Sequence, residues 1–137
     1  MSHVLVDSNV ILDIFQDDPE WAPWSEGMLH RYSSTHVLSI NPVIYTEISI
    51  GFERIETVES AIEKGGFKLL QIPKEALFLA GKAFINYKKR KGSKRSPLPD
   101  FYIGAHAAVL GVSLITRDVQ RYRSYYPSVD LISPEIS

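Results

Sequence analysis

Short apolar runs alternate along this chain with segments whose apolar residues have helical spacing, and this alternation limits the folds open to it. Apolar runs occupy residues 4–6, 37–40, 67–72, 112–116 and 129–132. Helical patterns occur from residue 8, over 20–31, from Pro42, over 55–65, over 73–91 and over 100–110. Short strands that alternate with helices predict an α/β domain with a mostly parallel central sheet.

The size and composition of the chain exclude several classes of protein. The 137 residues predict a single domain over 1–137, and 45% hydrophobic residues are enough for a core. No apolar run approaches the roughly 18 residues that a membrane-spanning helix needs. The absence of cysteine excludes thiolate metal sites and thiol catalysis, and it fits a cytoplasmic protein without membrane attachment.

Four acidic residues stand at positions where an ordinary surface acid is not expected. Asp7 and Asp118 directly follow apolar runs, and Asp100 opens an apolar helical segment. Glu47 shares one face of its predicted helix with apolar residues. In a parallel sheet, ligands bind at the carboxyl ends of the strands, where two of these acids are expected. We therefore expect the fold to assemble one acidic site.

Such a site would need a cation, because clustered carboxylates repel one another and are otherwise driven to take up protons. Oxygen ligands favour Mg²⁺ or Mn²⁺, which support the attack of water on a phosphodiester. Each acid also has a structural reading. Asp7 could cap a helix, Asp100 could favour the first turn of one, and Asp118 could belong to a turn. A salt bridge would explain Glu47.

Basic residues are concentrated in the second half of the chain. Residues 1–65 hold 11 acids and 3 Lys or Arg, a charge of −8, whereas residues 66–137 hold 5 and 12, a charge of +7. A basic loop is predicted over 88–95, and a second group of arginines is interleaved with tyrosines over 117–126. Both could contact nucleic acid or could be solvated surface. The candidate RNA contacts are Lys88, Lys89, Arg90, Lys91 and Arg117.

Four segments, taken together and in order, resemble the motifs of PIN-domain ribonucleases. They are residues 4–12 (VLVDSNVIL), 41–47 (NPVIYTE), 98–107 (LPDFYIGAHA) and 114–118 (LITRD). The continuation to Pro127 is similar to the VapC toxin branch of that family. The resemblance is collinear and covers essentially the whole chain.

The resemblance implies a three-layer α/β/α sandwich and an endoribonuclease that depends on Mg²⁺ or Mn²⁺. Its catalytic, metal-binding residues would be Asp7, Glu47, Asp100 and Asp118, with Asn9 and Thr116 in support. The implied partners are an RNA substrate, a cognate antitoxin and a second copy of the chain in a homodimer. Many members carry a further acid two residues after the fourth, where this chain has Gln120.

Three other classes remain possible on the sequence alone. A receiver-type signalling domain also places Asp at strand ends, but it would need adjacent acids early in the chain. A haloacid-dehalogenase-like phosphatase would need an acid at the position of Asn9. A PIN fold that binds RNA or a partner without cleaving is the third alternative. Gln120 keeps it open, whereas the four intact acids argue against it.

Overall fold

A computed structural model describes residues 1–93 and 98–134. Residues 94 and 95 of the predicted basic loop therefore lie outside the described residues. The described residues form one sheet with helices packed against it, and none of these helices is long and apolar enough to cross a membrane.

The five strands of the sheet are all parallel, in the order β3-β2-β1-β4-β5. They are β1 (Ser2–Val6), β2 (His36–Ile40), β3 (Lys68–Leu69), β4 (Leu114–Ile115) and β5 (Leu131–Ile132). All five predicted strands are confirmed, although β3, β4 and β5 are shorter than the apolar runs that predicted them. Phe67 and Val129 are buried although they lie outside the strands that their apolar runs predicted, so apolar character extends beyond strand pairing.

The helices on the sheet confirm the prediction of an α/β/α sandwich. They are α1 (Ser8–Phe15), α2 (Ala22–Ser33), α3 (Pro42–Ser49), α4 (Ile55–Gly65), α5 (Lys74–Lys89), α6 (Pro99–Leu110) and α7 (Val119–Tyr125). Two predicted helix ends carry glycines with positive φ, Gly66 at 72° and Gly111 at 68°, a conformation that glycine adopts without strain. Helix α7 was not predicted. Lys88 and Lys89 belong to the last turn of α5 rather than to a loop.

The order of the strands decides which side chains meet. The central strand β1 is fully buried at Val4, Leu5 and Val6, and it lies between β2 and β4. Its carboxyl end therefore lies beside the residues that follow β4. The order also differs from the 2-1-3-4-5 order of receiver-type domains, so that alternative class is excluded.

Candidate active site

Asp7 is the centre of the candidate site, and the ends of two neighbouring strands place it there. It directly follows β1, its backbone N–H donates to Ile115 of β4, and its extended backbone caps α1. Thr116 follows β4 and lies next to it. The pattern of an apolar run followed by a polar residue therefore brings together residues that are 109 positions apart.

The Asp7 carboxylate is buried, and the donors that hold it among the described residues are all neutral. Its Oδ1 accepts from the backbone N–H of Ser8 at 2.8 Å. Its Oδ2 accepts from the hydroxyls of Thr116 and Tyr122, both at 2.8 Å, and lies 3.5 Å from Asn9 Nδ2. Asn9 Nδ2 also lies 3.4 Å from Thr116 Oγ1. Asn9 and Thr116 thus surround Asp7, as the resemblance implied, and both orient its carboxylate.

The surroundings of Asp7 raise its pKa from 3.8 to about 6. Loss of hydration on burial is the largest cause, and the negative charges of Asp100 and Glu47 add to it. The hydrogen bonds from Thr116 and Tyr122 oppose the rise. The fold therefore disfavours the ionised form of Asp7. Acids with pKa values perturbed in this way are common at functional sites.

Glu47 and Asp100 stand close enough to Asp7 to act on it electrostatically, and the three form what we call the acidic cluster. Glu47 is half-buried on α3, where Ser8 Oγ donates to its Oε1 at 2.8 Å. Its pKa is raised by burial first and by Asp100 to a lesser extent. Asp100 lies in the first turn of α6. Three of the four predicted acids therefore converge.

Asp118 is the fourth predicted acid, and its side chain forms no hydrogen bond or ion pair with Asp7, Glu47 or Asp100. Its backbone N–H donates to Thr116 Oγ1 at 3.0 Å, and its charge acts on the nearby Arg121. Among the residues that the structure describes, no three acidic or histidine side chains stand together as a ready-made metal site. The acids thus lie in the same region of the fold, but those described do not form a preassembled metal site.

Two side chains of α7 belong to this region, and the sequence analysis missed their role. The Tyr122 hydroxyl donates to Asp7 and lies 3.4 Å from Asp100 Oδ1, while the ring is fully buried. Arg121 Nη1 donates to Asp100 Oδ2 at 2.7 Å, and 61% of the Arg121 side chain remains exposed. The spacing of Val119, Tyr122 and Tyr126 is helical and could have predicted α7 and its buried face.

A glycine allows α6 and α7 to approach closely enough for these contacts. A Cβ on Gly104 would overlap the ring of Tyr126 and would lie 3.1 Å from Tyr122 Cδ1. Any larger residue would push the two tyrosines away from α6. Gly104 therefore helps to set the distance between Asp100 on α6 and the Tyr122 hydroxyl.

The predicted RNA contact at Arg117 needs correction. Its guanidinium bonds the buried Asp13 at both oxygens, from Nε at 2.7 Å and from Nη2 at 2.8 Å, and it lies 5.0 Å from the ring centre of Trp21. Bidentate pairing fixes the group and neutralises its charge, so we assign Arg117 a structural role. In contrast, Lys88, Lys89, Arg90 and Lys91 are exposed at and after the end of α5.

Comparison with known proteins agrees with the fold and the site described above. The PIN domain family matches residues 4–125, so this chain belongs to that family. The alternative of a haloacid-dehalogenase-like phosphatase is thereby excluded. No curated protein matches the sequence.

Solved structures of toxin–antitoxin complexes share the fold at low sequence identity. VapBC2 from Rickettsia felis, bound to promoter DNA, has a TM-score of 0.74 at 13% identity, with 96% of this chain and 98% of that chain covered. VapBC-1 from nontypeable Haemophilus influenzae has a TM-score of 0.70 at 19% identity, over 95% and 96%. DNA-bound VapBC from Salmonella typhimurium has 0.70 at 16%, over 97% and 98%. The likeness to VapC-type PIN domains is thus confirmed in the fold.

Proposed function

We propose that this chain is an endoribonuclease that depends on Mg²⁺ or Mn²⁺ and is the toxin of a toxin–antitoxin pair. The observation that carries the proposal is Asp7, a buried carboxylate whose donors in the described part of the chain are all neutral and which lies beside Glu47 and Asp100. Membership of the PIN domain family supports it, since PIN domains are generally nucleases. The VapBC structures with the same fold support the toxin assignment.

The donors around the acidic cluster fit a hard divalent cation in their chemistry. They are carboxylate and hydroxyl oxygens, without thiolate. The pKa of Asp7 is raised by burial first and by neighbouring negative charge to a lesser extent, and a cation would offset both. Asp7, Glu47, Asp100 and Asp118 would hold the ion. When bound, such an ion lowers the pKa of water and offsets charge on the phosphate oxygens.

The residues of the chain itself have distinct tasks in this proposal. Thr116, Tyr122 and Ser8 hold the Asp7 carboxylate in one orientation through three hydrogen bonds of 2.8 Å. Burial raises the pKa of Tyr122 well above 10, so its hydroxyl keeps its proton and remains a donor. Arg121 pairs with Asp100 while staying exposed, and the two would separate if a divalent cation bound Asp100 or a phosphate bound Arg121.

The decisive experiment compares RNA cleavage by the purified protein with Mg²⁺, with Mn²⁺ and with EDTA. We expect cleavage only with metal, and we expect Asp7→Asn and Asp100→Asn to abolish it. Asp17→Asn is the matched control, because Asp17 is exposed outside the cluster and its φ of 49° suits asparagine. A wild-type protein that binds RNA but never cuts it would favour the inactive PIN-fold alternative. Cleavage that survives EDTA would refute the metal mechanism.

The exposed cations at the end of α5 are the proposed binding surface for the RNA backbone. Glu substitution of Lys88, Lys89, Arg90 and Lys91 together should weaken RNA binding and flatten its salt dependence, because fewer counterions are released. The control is the same change at four other exposed lysines, Lys64, Lys68, Lys74 and Lys82. If both quadruple variants weaken RNA binding equally, the loss comes from overall charge and not from a specific RNA-binding surface at residues 88–91.

The proposed partners are a cognate antitoxin, which neutralises the chain in the cytoplasm, and a second copy of the chain. Co-expression with the product of a neighbouring small gene should relieve growth inhibition and yield a stable complex. Light scattering of the purified chain should give twice the monomer mass. Expression of Asp7→Asn without any antitoxin tests the two assignments separately. If this variant is no longer toxic, toxicity depends on the acidic site, and the nuclease assignment is supported independently of the partner.

A further inference from the structure

A cavity of about 260 Å³ lies between α5, α6 and α7, directly beside the acidic cluster. It shares Asp100 and Arg121 with that region, and its other walls include Tyr87, Phe101 and Tyr125. Its volume is below the roughly 300–1,000 Å³ of sites for drug-sized ligands, which suits a single ring system. A ligand in this cavity would lie next to whatever binds at Asp100.

The aromatic walls of the cavity hold one another in place. The rings of Tyr87 and Phe101 meet edge to face at 5.7 Å, and those of Phe101 and Tyr125 do so at 5.1 Å. Phe101 is buried beneath the two tyrosines. Rings that are fixed before a ligand arrives lose little freedom on binding, so this surface favours a flat apolar ligand.

Polar groups stand at the rim of these apolar walls. Gln120 and Ser124 are exposed on α7 and line the cavity. A glutamine amide both donates and accepts, and a serine hydroxyl does the same. Together they can pair with the edge of a ring that carries mixed donors and acceptors. Gln120, which stands where many PIN domains carry an acid, would therefore contribute to ligand binding in this cavity.

Positive charge borders the cavity on two sides. The Arg90 guanidinium carbon lies 4.9 Å from the ring centre of Tyr125, and Arg121 lies beside Asp100. The ligand that suits both the cations and the aromatic walls is a planar ring with hydrogen-bonding edges and an attached anion. Nucleotides combine these features, whereas an aliphatic peptide side chain would leave the polar rim unused.

We propose that this cavity is a nucleobase-binding subsite, in which the aromatic walls hold one base while Gln120 and Ser124 contact its edge. The assignment of that base to the nucleotide next to the scissile phosphate rests on the proposed nuclease function, because Asp100 belongs to both sites. The subsite would let the protein select where along an RNA strand it acts.

The test measures binding without cleavage. Nucleoside 5′-monophosphates and ribose 5-phosphate are titrated into the EDTA-treated protein up to about 10 mM, with backbone amide shifts followed by NMR. We expect the nucleotides to shift the amides of residues 120–125 and of Phe101. Ribose 5-phosphate keeps the phosphate but lacks a base, so it should shift the amide of Arg121 and leave those of Phe101, Ser124 and Tyr125 unchanged. Equal shifts with ribose 5-phosphate, or shifts confined to other parts of the chain, would overturn the proposal.

A blocking variant makes the test specific to the cavity. Ser124→Trp places a large ring at its mouth and should weaken nucleotide binding by about tenfold or more. Ser60→Trp is the control, because Ser60 is exposed on α4 and does not line the cavity. Equal binding by the two variants would refute the subsite. If nucleotides fail to bind and Ser124→Trp instead abolishes capture of a co-expressed protein, the cavity belongs to that partner and the proposal falls.

Cleavage assays then separate this proposal from the nuclease assignment. With Mn²⁺, Ser124→Trp should raise KM and change which nucleotides flank the cut positions, as read by sequencing the RNA ends. A wild-type protein that cuts no RNA would sink the nuclease assignment while nucleotide binding in EDTA still supported the subsite. An unchanged cut pattern would sink the subsite while leaving the nuclease intact.

Discussion

Asp13 and Asp7 are two buried aspartates six residues apart, and their surroundings differ in one respect. Asp13 is 4% exposed and accepts from Ser25 and, at both oxygens, from the guanidinium of Arg117. Asp7 is 3% exposed and, within residues 1–93 and 98–134, accepts from neutral donors. Among these residues, Asp13 has a counter-charge built into the fold and Asp7 does not.

The difference separates an acid that holds the fold together from the acid that we propose binds a cation. A buried charge is tolerated when a partner of opposite charge bonds it well. Burial raises the pKa of Asp7 to about 6, chiefly through lost hydration, and this is a standing cost to the metal-free protein. Acidic residues that look alike in the sequence can therefore be distinguished by where the structure places the arginines.

The largest effect is expected when the cationic partner of Asp13 is removed, so that Asp13 is held by a neutral donor as Asp7 is. Arg117→Ala strands a buried carboxylate and should lower the free energy of unfolding by about 3 kcal/mol or more. Urea denaturation at neutral pH measures this loss. The deficit should shrink in acid, because protonation removes the stranded charge. A loss below about 1 kcal/mol would mean that Ser25 alone satisfies Asp13, and the contrast with Asp7 would collapse.

The converse change removes the uncompensated charge and should stabilise the metal-free protein. A rise of the Asp7 pKa from 3.8 to about 6 corresponds to about 3 kcal/mol at most, lost as pH rises from about 4 to above 6. Asp7→Asn should therefore be more stable than wild type at pH 7.5 in EDTA. At pH 3.5 the difference should vanish, because both folded and unfolded Asp7 are then largely protonated. Equal stability of the two proteins at both pH values would contradict the raised pKa.

A neutral donor to Asp7 provides a test of intermediate size. Tyr122→Phe removes one hydrogen bond to Oδ2 and should weaken Mn²⁺ binding by about tenfold, since groups that orient a metal ligand typically contribute this much. Tyr126→Phe is the matched control, because its buried hydroxyl donates to the Phe101 carbonyl at 2.7 Å instead. Both variants should lose about 1 kcal/mol of stability. Calorimetric titration that shows equal Mn²⁺ affinity in the two would remove Tyr122 from the site.

The smallest effect is expected at Arg121, the cation that stands nearest to the acidic cluster without being buried. Arg121→Ala should change the free energy of unfolding by less than about 1 kcal/mol, because the pair with Asp100 is exposed on the arginine side. It should tighten Mn²⁺ binding by about threefold, since a competing positive charge is removed. Weaker Mn²⁺ binding in this variant would show that Arg121 organises the acids rather than competing for them.

Local sequence patterns predicted much of this fold. Apolar runs predicted all five strands, and capping residues such as Asn41, which accepts from the N–H of Ile44, predicted helix starts. The end of the first strand then indicated where Asp7 would lie. These inferences succeed because they depend on neighbours along the chain and on the general rule for parallel sheets.

The contacts between distant side chains could not be predicted in this way. The sequence gives no sign that Arg117 turns to Asp13 while Arg121 turns to Asp100, since both are arginines of one basic segment. The place of Tyr122 depends on α7, a helix whose seven residues offer only two helical turns of pattern. Pairings of this kind follow from the packing of helices, which local patterns do not encode.

The large sequence separation between Asp7 and two of its donors determines when the site can form during synthesis. Thr116 and Tyr122 lie 109 and 115 positions further along the chain, and β1 lacks its β4 neighbour until residues 114 and 115 exist. During synthesis at roughly 5–20 residues per second, the first acid therefore waits several seconds for the groups that orient it. A growing chain therefore carries all of its early acids before the acidic cluster can form, and the hydrogen bond from Tyr122 to Asp7 forms only after residue 122 has folded into place.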